Sequence, residues 1–190
     1  MTIKKLLCCG DSITYGYGVP PGASWYELLA KKVDFPMGNA GANGARLLDL
    51  LPKMQREIRL HQPSHVLIFA GINDLIQQYP ARLLIKEIDK LLREAERLGA
   101  TPIFATAIMP KAHIQRTAWI YENQYDAIKK EVSSFNGFLR DFSLQNNFLL
   151  LDFDNFFQEV DPRPQLFPDG IHPNKEAHKL IAELILKQLS

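Results

Sequence analysis

Cysteine is scarce in this sequence, and the two that it contains, Cys8 and Cys9, are adjacent. On a β-strand neighbouring side chains point to opposite faces, so a disulfide between these two is geometrically unfavourable. The pattern fits a reducing compartment without requiring one, and it is not that of a small domain cross-linked by disulfides. With 190 residues the chain is long enough to bury a hydrophobic core instead. We therefore predict one domain over residues 1–190.

An excess of charge of either sign is also missing. The sequence has 22 lysines and arginines against 21 aspartates and glutamates, which gives a net charge of +1. Nucleic acid and anionic membrane surfaces are usually bound through a strong positive field, which this balance does not supply. No nucleic-acid partner is predicted.

Long hydrophobic runs are absent as well. No apolar run approaches the ~18 residues that a membrane-spanning helix needs. The start, MTIKKLLCCGDS, has an apolar stretch far shorter than the core of a signal peptide, and a turn follows it at once. We therefore expect no membrane insertion and a cytoplasmic location, or a periplasmic or secreted one if a leader has been removed.

Short apolar runs alternate with longer amphipathic stretches along the whole chain. Because strands separated by helices pair in parallel through right-handed crossovers, helices should cover both faces of the sheet. We predict an α/β fold of three layers (α/β/α) with a central, mostly parallel, five-stranded sheet. Functional residues of such a sheet lie on the loops that follow the carboxyl ends of its strands. The predicted strands are 3–9, 35–39, 65–70, 101–108 and 148–153, and the predicted helices are 24–33, 46–60, 81–98, 120–145 and 174–189.

Ser12 directly follows the first predicted strand, in the segment CCGDSITYGYG. A serine there is also a common turn or helix-capping residue, and Thr14 stands where the G-x-S-x-G nucleophile motif has its second glycine. A nucleophilic serine needs a histidine to take its proton. Four of the five histidines are more simply explained as structural or solvated residues: His61, His65, His113 and His178.

His172 differs from these four because it stands three residues after Asp169 in FPDGIHPN, just before the last predicted helix. An aspartate on one ring nitrogen can hold the tautomer of the imidazole and stabilise the imidazolium. Taken alone, D-x-x-H fits a solvated turn better. A metal site would need further ligands that the sequence does not group nearby, so neither a metal nor a cofactor is predicted.

Two further stretches offer hydrogen-bond donors for a developing oxyanion. NAGANGA, residues 39–45, contains small residues that let a backbone N–H approach a ligand, and FAGINDL, residues 69–75, places Asn73 after a strand. Each stretch alone is also typical of an ordinary turn. Asp11 and Asp74 are adjacent to Ser12 and Asn73, and we expect them to hold these loops by accepting hydrogen bonds from backbone amides.

Taken in this order, GDSI, NAGANG, GIND and DGIHP resemble the four sequence blocks of the SGNH, or GDSL, hydrolases. The likeness runs from Ile3 to the final helix, and HQPSHVLIFAGINDL with DGIHPN looks most like the bacterial thioesterase I, lysophospholipase and arylesterase branch. It implies the flavodoxin-like fold of that family. There are two departures: Ile13 replaces a leucine, and Arg46 stands where relatives often carry threonine, which puts the hydrogen bonding after Gly44 in question.

The resemblance also implies the site residues. Ser12 would be the nucleophile, His172 the base and Asp169 the acid that orients it, while the oxyanion hole would consist of the Ser12 N–H, the Gly44 N–H and the Asn73 side chain. The implied activity is that of a serine acyl hydrolase, which needs no cofactor and cleaves small-molecule esters or thioesters through an acyl-enzyme. Its oligomeric state is left open.

Two other functions remain open. A carbohydrate O-deacetylase would use the same residues, and a shallow polar cleft with exposed aromatic side chains would favour it. Trp25 and Trp119 can supply these aromatics, although both also fit amphipathic core faces. A non-catalytic binding module is the other alternative, but it would not need this set of polar residues. The segment 75–80 is expected to wall the acyl site, and the loop 109–118 (Met109 to Ala118) either walls it as well or is an ordinary surface loop.

Overall fold

A computed structural model describes residues 2–111, 119–160 and 166–189. Five strands form one sheet in the order β2-β1-β3-β4-β5, and each pairing is parallel. The predicted α/β fold with a parallel five-stranded sheet is confirmed. The strands are β1 (Leu6–Gly10), β2 (Met37–Gly41), β3 (His65–Phe69), β4 (Thr101–Ala105) and β5 (Leu149–Leu151).

Helices cover both faces of the sheet and bury a separate apolar cluster on each. The cluster on one face gathers side chains from α3 to α6, and the cluster on the other gathers them from α2, α7 and α8. The helices are α1 (Ser12–Tyr15), α2 (Trp25–Ala30), α3 (Leu50–His61), α4 (Ile72–Ile76), α5 (Ala81–Arg97), α6 (Tyr125–Asn146), α7 (Phe153–Val160) and α8 (Lys175–Leu189).

Adjacent residues of β1 belong to opposite faces of the sheet. Cys8 packs in the cluster with α2 and α8, whereas Cys9 packs in the cluster with α3 and α5. Both thiols are free and buried. The expectation that they do not pair with each other is confirmed, and both serve as core residues.

Several strand ends differ from the prediction, and hydrogen bonding gives the reason. β1 begins at Leu6 and not at Ile3, because the amides of Lys4 and Lys5 donate to the Ser64 hydroxyl, at 2.9 and 3.1 Å, and not to a strand. The prediction that β4 reaches residue 108 was wrong. It ends at Ala105, and the backbone of Ala107 pairs with the Asn136 side chain of α6 instead, with bonds of 2.9 and 2.8 Å.

The helix predictions were right in position and wrong at several ends. α3 begins at Leu50, after a 3₁₀ turn over Leu47–Asp49, and α6 begins at Tyr125, after a 3₁₀ turn over Glu122–Gln124. α1, α4 and α7 were not predicted at all, and Phe153, assigned to the last strand by the sequence, is the first residue of α7.

The position of β1 in the sheet determines where a site can form. β1 lies between β2 and β3, at the point where the strand order changes direction, so the loops after these three strands meet at one edge. Within the described ranges, no helix is both long and apolar enough to cross a membrane.

Candidate active site

Ser12 lies at the carboxyl edge of the sheet because α1 begins immediately after β1. Asp11 caps this single-turn helix, and its Oδ1 accepts a hydrogen bond of 2.9 Å from the Ile13 amide. The helix ends at Gly16, whose φ of +94° lies in the left-handed region that favours glycine. Ser12 is 5% exposed, so its hydroxyl is held in a largely desolvated position.

The Ser12 hydroxyl reaches the imidazole that the sequence singled out. Ser12 Oγ lies 2.9 Å from Nε2 of His172, and Nδ1 of His172 lies 2.6 Å from Oδ2 of Asp169. An N–H on Nδ1 that donates to the carboxylate leaves Nε2 free to accept the serine proton. The three residues therefore have the connectivity of a serine, its general base and an orienting acid.

The backbone of the DGIHP turn fixes the other oxygen of Asp169. Oδ1 accepts hydrogen bonds from the amides of Ile171, at 3.0 Å, and His172, at 2.7 Å. Partial burial acts to raise the pKa of Asp169, but the hydrogen bonds from the His172 ring and from these two amides outweigh it. The pKa of Asp169 consequently lies well below its ordinary value, and the carboxylate stays ionised beside the imidazole.

The residues expected to hold an oxyanion line one cavity with the Ser12 hydroxyl. This cavity has a volume of about 300 Å³, and its walls include Ser12, Gly44, Asn73 and His172. The Asn73 amide nitrogen donates to the Ala45 carbonyl at 2.9 Å, and since it carries two hydrogens, one remains for a ligand. Gly44 has a φ of +72°, a backbone conformation that glycine adopts without strain.

Asp11 and Asp74 have the structural roles expected from the sequence. Asp74 accepts hydrogen bonds from the Leu47 amide, at 2.7 Å, and the Leu48 amide, at 3.4 Å. It thereby ties the segment after β2, which carries Gly44, to α4, which carries Asn73. Burial raises the pKa of Asp74, and burial raises the pKa of Asp11 to about 7.

Replacing Asp11 by asparagine is expected to stabilise the protein at pH 8. Folding raises the pKa of the Asp11 carboxyl from 3.8 to about 7. Its contribution to the stability of the native state is therefore complete below pH 3.8 and is lost as the pH rises toward about 7. Asparagine keeps an acceptor for the Ile13 amide and carries no charge. We expect Asp11→Asn to raise the free energy of unfolding by about 2 kcal/mol at pH 8, with no gain at pH 4.

Urea denaturation at the two pH values measures this difference. The matched control is Asp34→Asn, which alters an exposed aspartate. We expect it to change the free energy of unfolding only slightly, and by the same amount at both pH values. If Asp11→Asn changed the free energy of unfolding by the same amount at pH 4 and pH 8, the negative charge of Asp11 would not be what destabilises the native state.

The other described histidines do not line the cavity. His65 is buried at the start of β3, and His61 is the last residue of α3, 3.3 Å from Glu57. His178, which the sequence placed at the border of a helix, is fully buried, accepts a 3.1 Å bond from the Trp25 amide and has a pKa lowered to about 4 by burial. His113 lies outside the described residues. No cluster of three or more metal-ligating side chains occurs in the described part of the chain.

The two tryptophans have different environments. Trp25 is fully buried and donates from its indole to the Ile13 carbonyl at 2.9 Å, as a core residue. The core interpretation of Trp119 was wrong, because this side chain is 47% exposed and lines the cavity. Its indole nitrogen lies 3.2 Å from Oδ2 of Asp169, and its ring centroid lies 5.6 Å from that of His172.

Tyr17 is a second aromatic residue of the cavity, and it is not among the site residues predicted from the sequence. Its ring centroid lies 4.5 Å from that of His172, and the side chain is 40% exposed. The available signal was its place between Gly16 and Gly18 shortly after the serine, a segment too rich in glycine to belong to a core helix.

The remaining expectations concern the walls of the cavity and Arg46. Ile76 and Gln77 line the cavity, as expected for the segment 75–80. In the loop 109–118 only residues 109–111 are described, and the Lys111 amide donates to the Gly170 carbonyl at 2.9 Å. Arg46 forms two hydrogen bonds with the Asp49 carboxylate, at 2.8 and 3.1 Å, so its side chain is engaged within its own turn.

Residues 8–180 match the model of the GDSL-like lipase/acylhydrolase family. The chain belongs to this family. The resemblance noted in the sequence is thereby confirmed, and this GDSL hydrolase is a carboxylic ester hydrolase.

Two curated relatives and one solved structure show how far the similarity extends. The thioesterase 1/protease 1/lysophospholipase L1 of Escherichia coli K12 is 28% identical over 187 residues, which are 97% of this chain and 82% of the relative. The acetylxylan esterase of Geobacillus stearothermophilus is 26% identical over 208 residues, 98% of this chain and 94% of the relative. A lipolytic G-D-S-L family protein from Veillonella parvula superposes with a TM-score of 0.82 at 23% identity, covering 96% of both chains.

Proposed function

We propose that this GDSL hydrolase cleaves esters or thioesters through an acyl-enzyme formed on Ser12. The observation that carries the proposal is the unbroken chain of short hydrogen bonds from Ser12 through His172 to Asp169. A serine hydroxyl is a weak nucleophile by itself, and this arrangement supplies both the base and the anion that the base requires.

In the first half of the reaction, the Ser12 oxygen attacks the substrate carbonyl while its proton moves to Nε2 of His172. The negative charge then lies on the former carbonyl oxygen, and the Ser12 N–H, the Gly44 N–H and the Asn73 amide are the donors that we assign to it. The imidazolium returns the proton to the leaving alcohol or thiol as the bond to the acyl carbon breaks. Asp169 stabilises the imidazolium through Nδ1 and keeps its own negative charge.

In the second half, a water molecule replaces the leaving group. His172 takes a proton from the water, whose oxygen attacks the acyl carbon, and it returns the proton to the Ser12 oxygen as the acid is released. The same donors hold the second oxyanion. The cycle is closed with the protein unchanged, and apart from water it needs no group beyond the triad and the oxyanion donors that we assign.

For the substrate we propose a small-molecule acyl ester or thioester, of the lysophospholipase, acyl thioesterase or arylesterase type. The cavity offers the apolar side chains of Ile76 and Ile171 to an acyl group. The named activities of the Escherichia coli relative support this class of substrate.

A second candidate is a carbohydrate O-deacetylase, and exposed aromatic side chains favour it. Trp119 and Tyr17 line the cavity together with the polar side chains of Asn43 and Gln77. Aromatic faces beside hydrogen-bonding amides suit a sugar ring, whose two faces are apolar and whose edge is polar. The acetylxylan esterase among the relatives supports this alternative.

A panel of substrates, combined with covalent labelling, tests the proposal and separates the two candidates. We expect hydrolysis of p-nitrophenyl esters from acetyl to palmitoyl, and a fluorophosphonate adduct found by mass spectrometry on the peptide that contains Ser12. Higher kcat/KM on palmitoyl-CoA or a lysophospholipid than on acetylated xylo-oligosaccharides would support the acyl hydrolase, and the reverse order would support the deacetylase. An adduct on another residue would refute the role of Ser12, and no turnover of any substrate would favour a binding module.

A further inference from the structure

Within the described residues, the carboxylate of Asp169 has one hydrogen-bond donor that comes from outside its own turn. Its donors inside the turn are the Ile171 amide, the His172 amide and the His172 ring. The donor from outside is the indole N–H of Trp119, fifty positions away in the chain. This N–H binds Oδ2, the same oxygen that accepts from Nδ1 of His172.

Two donors on one carboxylate oxygen compete for its negative charge. A donor that stabilises the charged form of a carboxylate makes it a weaker acceptor for any other partner. Because the indole N–H also bonds Oδ2, the hydrogen bond from protonated His172 to Asp169 is weaker than it would be if Oδ2 accepted from His172 alone. Asp169 has a side chain that is 33% exposed, and the large ring of Trp119 lies beside it, which limits the access of water to this oxygen.

We propose that Trp119 is a positioning residue that acts through Asp169 and keeps His172 in its proton-accepting form at lower pH. The inference rests on the proposed function, because it requires His172 to be the general base for Ser12. We therefore expect the protein to remain active at a lower pH than it would without the indole N–H of Trp119.

Other titratable groups face the pair and must stay constant in a test. Within the described residues these include Asp11 at the N-terminal end of α1, Tyr17 in the loop after α1 and His178 in α8. The hydrogen bonds that the structure gives to these side chains do not involve Trp119. A substitution at Trp119 thus changes one donor to Asp169 and leaves the nearby charges in place.

Trp119→Phe is the informative variant, because phenylalanine keeps an aromatic ring over Asp169 and removes the N–H. We expect the acid limb of the kcat/KM profile for p-nitrophenyl butyrate to move to higher pH by about 0.5 unit. Turnover on the acid side of the limb should fall about threefold more than turnover at pH 8 does. The matched control is Tyr121→Phe, at an exposed aromatic residue near Trp119 in sequence that does not line the cavity.

The outcomes separate this inference from others. An unchanged pH profile, or a limb that moves to lower pH, would overturn it. A rise in KM by the same factor at every pH would also overturn it, since that result assigns Trp119 to substrate stacking. The fluorophosphonate reaction of Ser12 in Trp119→Phe keeps the two proposals apart: if Ser12 is labelled and the limb is unmoved, only the role of Trp119 fails, whereas an unlabelled Ser12 in the parent protein refutes the proposed function itself.

Discussion

Replacement of Ser12 by alanine is expected to lower kcat for p-nitrophenyl butyrate by about 10⁴-fold to 10⁶-fold. The variant lacks the nucleophile that we propose, and the residual rate would come from the oxyanion donors and from substrate binding alone. Among the described residues the Ser12 hydroxyl bonds only to His172, so its loss should leave the Tm within a few degrees of the parent. Steady-state kinetics and thermal unfolding followed by circular dichroism measure both quantities.

Ser133→Ala is the matched control, because it makes the same chemical change at an exposed position of α6. It should retain full turnover. If Ser12→Ala keeps turnover comparable to that of the parent after a contaminating esterase has been ruled out, another residue forms the acyl-enzyme.

Replacement of Gly41 by alanine is expected to destabilise the protein and to reduce its activity together. A Cβ at Gly41, the last residue of β2, would lie 2.4 Å from the Tyr15 nitrogen and 2.7 Å from the Thr14 carbonyl carbon. These are backbone atoms of α1, the helix that begins with Ser12, so the strand or the helix must move. We expect a loss of about 3 kcal/mol in stability, which is about 6–12 °C in Tm, and a fall in kcat/KM of about 100-fold from the displaced serine.

Gly137→Ala makes the same substitution where there is room for it. Nothing lies within 4 Å of the position that its Cβ would take, and it stands inside α6, where alanine is the better helix former. This control should be slightly more stable than the parent and fully active. If Gly41→Ala and Gly137→Ala had the same stability and the same activity, α1 would not pack against the end of β2 as closely as these distances imply.

The positions of Ser12, Asp169 and His172 could be predicted because each stands in a short block next to a strand or helix end. In a parallel sheet such ends meet at one edge, so the pattern carries spatial information. Trp119 and Tyr17 could not be placed in the same way. Both reach His172 from irregular segments, and neither hydrophobic periodicity nor a sequence block marks an aromatic side chain that turns toward a site.

The fold could be predicted where the hydrophobic pattern is compatible with only one type of secondary structure. Residues 66–69, VLIF, are apolar throughout, and β3 lies in the middle of the sheet, buried on both faces, as this pattern indicates. α7 was missed because only one polar residue, Asp152, separates Phe153 from the apolar run of the last strand, so the pattern extends the strand over Phe153. The end of β4 depends on Asn136, a buried side chain 29 positions from Ala107, and contacts over such a separation leave no local signal.

The site joins two segments that lie far apart in the chain, since the serine and imidazole that meet at 2.9 Å are 160 positions apart. During synthesis Ser12 leaves the ribosome together with β1, well before His172 is made. A nascent chain that stops short of His172 lacks the base that we propose, even when all five strands have been made. We expect activity only once the segment before α8 has docked on the sheet edge, so turnover reports the docking of that segment and not the formation of the sheet.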